Sequence, residues 1–252
     1  MQVDHRRFEL GHPVMTEDGS LSLHQPFYGE EYHSRLGALH ESKELYLVAS
    51  GFLARLGSSD EALAVLDVGL GLGYNALATI EAWRKAPAPP DLTLISLEQN
   101  SGLVASLAAK GGTWMTGWTE AWLEDAASLA EVGKNQWVAQ LTHTDGSQLE
   151  WRVFVGDAAS EPLPEVPPLD FIWQDPFSPK KNPELWTIEW FQRLAAVSSP
   201  QVMLATYSVA RQVRDNLCVA GWTWQKLPAL GSKRHWLRSS LDAGVLVSTS
   251  EN

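Results

Sequence analysis

The chain has 252 residues, 44% of them hydrophobic, and its net charge of −11 argues against binding nucleic acid through a globally basic surface. This length suits one main α/β domain with additions, and the single cysteine, Cys218, excludes internal disulfides and is expected to pack in the core. The sequence shows no apolar run of about 18 residues and no signal-peptide core, so we expect a cytoplasmic protein without a membrane partner. Its histidines show no spacing typical of metal ligands, so we expect no metal.

The first 60 residues are predicted to form an N-terminal extension that packs on the main domain. Residues 16–20 indicate a turn before a short strand at 21–23. Residues 41–56 have the amphipathic pattern of a helix that ends near Gly57. The main domain is expected over residues 61–241, and residues 242–252 are expected to form a frayed tail.

A glycine-rich turn follows the first strand of the main domain. An apolar strand at 63–66 leads into Asp67 and then into Gly69, Gly71 and Gly73, and residues 74–85 have helical composition. The glycines let the backbone turn sharply and leave N–H groups at the helix start free for a ligand. The G-x-G-x-G spacing behind an acid favours S-adenosylmethionine over NAD. A turn of this kind without a ligand is the alternative.

Two further acids follow strands of the same predicted sheet. A second apolar strand at 92–97 ends in Glu98, and a strand, helix and strand in this order predict a right-handed parallel crossover. Glu98 is therefore expected beside the cofactor ribose. Asp157 follows a strand at 148–155, where its carboxylate can accept a hydrogen bond from an adenine amino group. The same residues also form a common turn.

An insertion is expected between these two acids. Residues 103–110 and 118–131 indicate helices, and strands at 137–141 and 148–155 flank the turn pair Asp145-Gly146 as a hairpin.

The loop after the next strand, at 170–173, carries the residues expected to act on the acceptor. Loops at the carboxyl ends of strands in a doubly wound sheet meet at the ligand. The Asp175 carboxylate and the Pro176 carbonyl can accept hydrogen bonds from an amine, and Phe177 offers a ring for stacking. An activated sulfonium methyl needs only a neutral amine held in line. Asp-Pro and Ser-Pro also start ordinary turns.

The remaining segments complete an α/β fold. Residues 183–196 and 208–220 indicate helices around a strand at 202–207, with Ser208 as the N-cap of the second helix. Residues 222–226 and 235–238 indicate a hairpin. The predicted fold is a mostly parallel, doubly wound, Rossmann-like sheet with a terminal antiparallel hairpin, the N-terminal extension and the inserted helix and hairpin.

Residues 171–186 resemble the strand-and-loop motif of the MnmC methyltransferase family, L-D-G-F-A-P-x-K-N-P-x-x-W. The matching residues are Asp175, Phe177, Pro179, Lys181, Asn182, Pro183 and Trp186. Residues 67–75, including Asn75, are similar to the family's glycine loop, residues 97–98 to its ribose-binding strand end, and residues 231–234 to a late G-x-K-R element. Pro176 departs from the family pattern, which has glycine there. The sequence also contains no counterpart of the flavin-dependent oxidase domain fused to some members.

This resemblance implies a class I methyltransferase that uses S-adenosylmethionine to methylate the aminomethyl group on the wobble uridine of tRNA. The candidate cofactor-binding residues are Asp67, Gly69, Gly71, Gly73, Asn75, Glu98, Asp157 and Asp175. The candidate substrate-binding residues are Tyr28, Tyr32, Glu41, Lys181, Asn182, Lys233 and Arg234. The alternatives are methylation of another amine, in a small molecule or a nucleobase, and cofactor binding without catalysis.

A local basic track is expected to bind the tRNA phosphates. Its candidates lie in the later chain and are Lys180, Lys181, Arg211, Arg214, Lys226, Lys233, Arg234 and Arg238. Solvated surface charges without a partner are the alternative.

Overall fold

The computed structural model describes residues 5–228 and 235–248, and within them the chain forms two sheets. The strands are β1 (His12–Met15), β2 (Leu21–Gln25), β3 (Glu30–Glu31), β4 (Leu63–Val68), β5 (Leu92–Glu98), β6 (Ala130–Gly133), β7 (Gln136–Thr142), β8 (Gln148–Val155), β9 (Leu169–Gln174), β10 (Ser198–Thr206), β11 (Thr223–Pro228) and β12 (His235–Ser240). The α-helices are α1 (Ala38–Glu41), α2 (Phe52–Leu56), α3 (Tyr74–Lys85), α4 (Ser101–Ala108), α5 (Glu120–Ala127), α6 (Ile188–Ala196), α7 (Arg211–Val219) and α8 (Ala243–Ser248). A π-helix spans Ser42–Ala49, and 3-10 helices span His5–Phe8, Thr113–Met115 and Pro183–Trp186.

The larger sheet has the strand order β11-β12-β10-β9-β4-β5-β8-β7-β6. Strand β4 pairs in parallel with β5 and β9, β5 pairs in parallel with β8, and β9 pairs in parallel with β10. Every residue of β4 is buried, because packed elements cover both faces of the sheet. The strand order reverses at β4, so the loops after β4 and β9 flank a crevice. The predicted mostly parallel, doubly wound sheet is confirmed.

Both edges of this sheet are antiparallel. Strand β12 pairs antiparallel with β10 and with β11, which confirms the predicted terminal hairpin. At the other edge, β7 pairs antiparallel with β8, and β6 adds a third strand to the inserted hairpin. The predicted helix at 118–131 is shorter than expected. Helix α5 ends at Ala127, where the Ser128 hydroxyl donates a 2.6 Å hydrogen bond to the Asp125 carbonyl, and the chain then enters β6.

The predicted helix at 41–56 is interrupted. The π-helix gives way at Ser50 and Gly51, where Gly51 has φ +84° and the Ser50 hydroxyl donates to the Tyr46 carbonyl at 2.6 Å. The left-handed glycine cannot continue a right-handed helix, so α2 starts afresh at Phe52. The predicted cap is also wrong: α7 begins at Arg211 with Ala210 at the N-cap position, because the chain around Ser208 still forms a turn off β10.

The C-terminal segment and the cysteine also differ from expectation. Residues 243–248 form helix α8 rather than a frayed tail, because Leu246 is buried and its carbonyl accepts a 2.9 Å hydrogen bond from Arg238. Cys218 is exposed on α7, whose buried face instead carries Val213 and Leu217. Within residues 5–228 and 235–248, no helix has the length and apolar character needed to span a membrane.

The core lies on both faces of the larger sheet. One cluster packs α3, α4, α5 and the π-helix against the sheet, and a second packs α6 and α7 against the opposite face. Side chains alternate between the clusters, as Val65 and Leu66 of β4 do. The smaller sheet, formed by β1, β2 and β3, is tied to α3 by a 2.9 Å hydrogen bond from the Tyr74 hydroxyl to the Leu21 carbonyl.

One buried tryptophan links this core to the glycine-rich turn. Trp114 is fully buried, and its indole N–H donates to the Leu72 carbonyl at 3.0 Å. We expect Trp114→Phe to lower the free energy of unfolding by about 2–4 kcal/mol, since it leaves a buried carbonyl unpaired and a small cavity. Urea unfolding measures the change. Trp137→Phe, the same replacement at a half-buried position on β7, is the control and is expected to cost less than about 1 kcal/mol. Equal losses in the two variants would contradict this role of the indole N–H.

Candidate active site

A cavity of about 770 Å³ opens at the crevice between β4 and its neighbours. Its walls come from the glycine-rich turn after β4, the end of β5, the turn after β8, the loop after β9 and the N-terminal extension. The sequence-predicted residues that line it are Tyr28, Tyr32, Glu41, Gly69, Gly71, Glu98, Asp157, Asp175, Pro176, Phe177 and Asn182. The structure therefore brings the candidates from distant parts of the chain around one space.

The glycine-rich turn allows two close approaches that form the floor of this cavity. Gly69 has φ +88°, and a Cβ atom there would lie 3.1 Å from the Asp175 carbonyl oxygen. Gly71 has φ +53°, and a Cβ atom there would lie 3.1 Å from the Tyr32 ring. Both backbone conformations are strained for residues other than glycine, and a side chain at either position would crowd the neighbouring loop. The loop after β9, residues 175–182, is called the acceptor loop below. The turn therefore holds the acceptor loop on one side and the N-terminal extension on the other.

Glu98 is held at the edge of the cavity by the backbone. Its Oε2 accepts a 2.9 Å hydrogen bond from the Gly71 amide, and its Oε1 accepts a 2.8 Å hydrogen bond from the Asn100 amide. Burial raises the pKa of Glu98, and these backbone hydrogen bonds oppose the shift. Each carboxylate oxygen keeps a lone pair for a further donor. This arrangement fits two adjacent hydroxyl groups, as on a ribose.

Asp67 lies beneath the glycine-rich turn and does not line the cavity. It is fully buried, and its Oδ2 accepts a 2.9 Å hydrogen bond from Ser96, whose hydroxyl in turn accepts from the Trp151 indole at 3.1 Å. Burial raises the pKa of Asp67 to about 7. The geometry makes Asp67 a support of the turn rather than a wall of the cavity.

Asp157 lines the cavity and also stabilises its own turn. Its two carboxylate oxygens accept hydrogen bonds from the Ala159 amide at 3.1 Å and the Ser160 hydroxyl at 3.0 Å. The side chain is half-buried, so lone pairs remain available at the cavity wall. The position beyond β8 suits the far end of a nucleoside whose ribose lies at Glu98.

Asp175 is oriented by a hydrogen-bond chain from the N-terminal extension. Its Oδ2 accepts a 2.8 Å hydrogen bond from the side-chain Nδ2 of Asn75. The side-chain Oδ1 of Asn75 in turn accepts a 2.6 Å hydrogen bond from the Ser42 hydroxyl. Asn75 is buried and does not line the cavity, so the structure places it as a partner of Asp175 behind the wall. Sequence reasoning missed Ser42, since no local pattern shows which residue contacts Asn75.

A second carboxyl group stands near Asp175. Glu41 also lines the cavity, is only 7% exposed and accepts a 3.1 Å hydrogen bond from the Ser34 amide. Burial raises the pKa of Asp175 well above its ordinary value, and the nearby charge of Glu41 adds to the rise. Tyr46, one turn beyond Ser42 on the π-helix, is fully buried, and the pKa of its hydroxyl is raised by burial and then by Asp175. A cation entering this part of the cavity would favour the charged forms of both carboxyl groups and would be stabilised by them.

Aromatic rings from the N-terminal extension cover the acceptor loop. Tyr28 stacks on Phe177 at 4.1 Å between ring centroids with a 22° angle, and Tyr32 lies 5.0 Å from the same ring. The Pro176 carbonyl accepts a 2.8 Å hydrogen bond from the Tyr207 hydroxyl, a residue that sequence reasoning missed. Phe177 is therefore packed between tyrosines, and one acceptor position of the Pro176 carbonyl is already occupied.

The residues of the acceptor-loop motif have a structural use in this fold. The Trp186 indole donates to the Phe177 carbonyl at 2.9 Å, and the Asn182 side chain donates to Glu184 at 3.0 Å. Asn182 is buried and lines the cavity, whereas Lys181 is exposed and does not. The sequence motif thus holds the loop in place with Trp186 and brings Asn182 to the cavity.

The candidates for the expected basic track differ in their exposure. Arg238 is wrong as a phosphate contact, because it is 4% exposed and donates to Gln225 at 2.9 Å and to a backbone carbonyl. Arg214 is half-buried with its guanidinium 4.9 Å from the Trp224 ring. The exposed members are Lys180, Lys181, Arg211 and Lys226. Lys233 and Arg234 lie outside the described residues.

Comparison with known proteins agrees with this geometry. A family model described as S-adenosyl-L-methionine-dependent methyltransferase matches residues 120–242. The tRNA 5-methylaminomethyl-2-thiouridine biosynthesis bifunctional protein MnmC of Thiobacillus denitrificans is 34% identical over 215 residues, which cover 82% of this chain and 33% of that protein. The protein of the same name from Azoarcus sp. is 33% identical over 229 residues, which cover 88% and 34%. The chain spans about a third of the length of these curated relatives.

A solved structure shows the same fold. MnmC2 from Aquifex aeolicus is 27% identical to this chain and superposes with a TM-score of 0.76. The match covers 92% of this chain and 70% of that one. The likeness therefore extends over nearly the whole chain.

The buried Asp67 predicts a pH-dependent stability. Because the pKa of Asp67 is raised from 3.8 to about 7 by burial, the folded chain binds more protons than the unfolded chain between these values. Ionisation of Asp67 therefore destabilises the fold as the pH rises. We expect the stability of Asp67→Asn relative to the parent protein to increase by about 2–3 kcal/mol from pH 5 to pH 8.

Urea unfolding at both pH values measures this difference. Asp60→Asn, which removes an exposed acid from the loop before β4, is the control and is expected to show the same relative stability at both values. A relative stability of Asp67→Asn that does not change with pH would mean that Asp67 ionises normally.

Proposed function

We propose that this chain, a member of the MnmC-like family of class I S-adenosyl-L-methionine-dependent methyltransferases, methylates the aminomethyl group of the modified wobble uridine in tRNA. The relatives that carry this name are about three times longer than the chain, so the activity and the acceptor are proposed for this chain. The observation that carries the proposal is the shared cavity, in which the glycine-rich turn and Glu98 face two buried carboxyl groups, Asp175 and Glu41.

The cavity residues fit S-adenosylmethionine. Gly69 and Gly71 leave space at the start of α3, Glu98 suits the ribose hydroxyls, and Asp157 suits the adenine amino group. When bound, the cofactor supplies an activated methyl group on a positively charged sulfur. The surrounding acids favour that positive charge over a neutral or anionic ligand.

The acceptor half of the cavity fits an aliphatic amine. Asp175 and Glu41 stabilise an entering ammonium group, and Asn75 fixes the orientation of the Asp175 carboxylate. Transfer would break the sulfonium–methyl bond, leave a neutral thioether and join the methyl group to nitrogen, so the ammonium acceptor must give up one proton, which Asp175 is placed to receive. The stacked rings of Tyr28 and Phe177 limit where the acceptor nucleobase can lie. Asp175 therefore has the catalytic role in this proposal, and a cytoplasmic site of action belongs to the same proposal.

Calorimetry and a transfer assay together test the proposal. We expect S-adenosylmethionine to bind to the parent protein, and labelled methyl to appear on tRNA that carries the aminomethyl group but lacks the final methyl. Binding with transfer only to small amines would favour the alternative acceptor, and binding with no transfer to any amine would favour a non-catalytic protein. Failure to bind the cofactor would contradict the proposal that the glycine-rich turn is part of a cofactor site.

Glu98 and Asp175 are expected to separate binding from chemistry. Glu98→Gln removes the carboxylate that would accept hydrogen bonds from the ribose hydroxyls. We therefore expect the Kd for the cofactor to rise by about 10–100-fold. Asp175→Asn keeps the shape and can still accept from Asn75, so we expect the Kd to change less than about threefold while kcat falls by about 100-fold or more. Asp215→Asn, on the exposed face of α7, is the control for both measurements. A normal kcat for Asp175→Asn would remove Asp175 from the acceptor site.

A further inference from the structure

The basic side chains at the cavity come from one part of the chain. Among the described residues that line it, the basic ones all lie between residues 7 and 35 and are Arg7, His12, His24, His33 and Arg35. None of the later lysines and arginines expected to contact phosphates is among them. In a chain with a net charge of −11, this clustering places basic side chains at one rim of the cavity, where Arg35 is already paired with Glu31 at 2.7 Å.

The smaller sheet holds two of these residues side by side. His12 on β1 is the direct cross-strand partner of His24 on β2, and their ring centroids lie 5.0 Å apart. Side chains on directly paired residues project from the same face of a sheet. His12 is exposed and His24 half-exposed, so both imidazole rings reach the outer rim of the cavity.

An aromatic row leads from this rim to the acceptor loop. Phe27 is 38% exposed and packs edge-on against Tyr28, with 5.0 Å between ring centroids. Tyr28 in turn stacks on Phe177 beside Asp175. Exposed Phe27 can therefore stack with a group outside the cavity, while the rings behind it continue to the acceptor site.

Arg7 connects the basic rim of the cavity to the aromatic row of Phe27, Tyr28 and Phe177. Its Nε donates a 3.2 Å hydrogen bond to the Tyr28 hydroxyl, and its guanidinium carbon lies 6.0 Å from the Phe27 ring centroid. The Tyr28 hydroxyl also accepts a 2.5 Å hydrogen bond from Gln99, at the end of β5. These contacts hold Arg7 and Phe27 in a fixed relation to the cavity.

We infer that the N-terminal segment from Arg7 to Arg35 binds the single-stranded RNA next to the target nucleotide. Proteins that hold single strands combine basic groups for phosphates with aromatic rings for unstacked bases. Arg7, His12 and His24 contact phosphates, and Phe27 stacks on a base that neighbours the methylated one. This inference rests on the proposed function for its acceptor, because a small amine would need neither the basic rim nor Phe27.

RNA binding by the full chain, without cofactor or methyl transfer, tests the inference. The probe is a 17-nucleotide anticodon stem-loop with uridine at the wobble position, labelled for fluorescence anisotropy, and the Kd is measured at several salt concentrations. Removing one phosphate contact is expected to reduce the slope of log Kd against log salt by about 0.7. Removing a stacking ring is expected to weaken binding about tenfold or more with the slope unchanged.

Matched variants assign the two effects. Arg7→Gln is expected to weaken binding and reduce the salt slope, whereas Arg7→Lys is expected to keep the slope, because it keeps the charge. Phe27→Leu is expected to weaken binding without a change in slope. Lys134→Gln, between β6 and β7 at the far edge of the larger sheet, removes an exposed positive charge away from the rim and is expected to bind as the parent protein does.

Two results would overturn the inference. One is RNA affinity and salt slope in Arg7→Gln and Phe27→Leu that equal those of the parent protein. The other is a parent protein that does not bind the stem-loop at all. Either result leaves the proposed methyltransferase activity open to the calorimetric and small-amine assays, since neither assay involves the RNA. Conversely, RNA binding that depends on Arg7 and Phe27 supports the inference even if methyl transfer fails.

Discussion

The contact between Gly69 and the Asp175 backbone is the constraint on which the site depends. A Cβ atom at Gly69 would lie 3.1 Å from the Asp175 carbonyl oxygen, so the two loops meet at this distance only because the side chain is missing. The parallel pairing of β4 with β9 brings the loops to the same edge of the sheet. The approach then lets Asn75, at the start of α3, reach the Asp175 carboxylate. Donor and acceptor halves of the cavity are thus parts of one packed unit.

The N-terminal extension completes this unit rather than lying beside it. Ser42 positions Asn75, Glu41 adds a carboxyl group near Asp175, and Tyr28 stacks on Phe177. The Ser42 contact spans 33 residues of the chain, and the Glu41 and Tyr28 contacts each span more than 100, so all three form only when the smaller sheet and the π-helix are docked. π-helical turns are uncommon and often occur at functional sites, which agrees with the position of this one behind Asp175.

Local signals in the sequence predicted the parts of the fold that depend on local chemistry. Helix α3 spans Tyr74–Lys85 as its composition and the preceding glycines predicted, and β4 and β5 lie where the apolar runs are. The failures depend on contacts between distant residues. Helix α8 exists because Leu246 packs against the end of the sheet, and Arg238 is buried because α8 and β11 cover it. The hydrogen bond of Ser42 to Asn75 likewise has no signature in either segment.

The charges of the cavity show how an acidic chain can suit the RNA substrate proposed for it. A sulfonium cofactor and an ammonium acceptor are both cations, and either would favour the charged forms of the buried acids Glu98, Asp175 and Glu41, which in those forms would repel a phosphate. Under the proposed function, the RNA backbone would therefore stay outside the cavity while one nucleotide enters it. A basic rim at Arg7 and His12 around an acidic interior separates the two requirements in space. The electrostatic fields of the basic rim and of the acidic interior each act over a short, partly screened distance. The net charge of the whole chain therefore does not decide where RNA would bind.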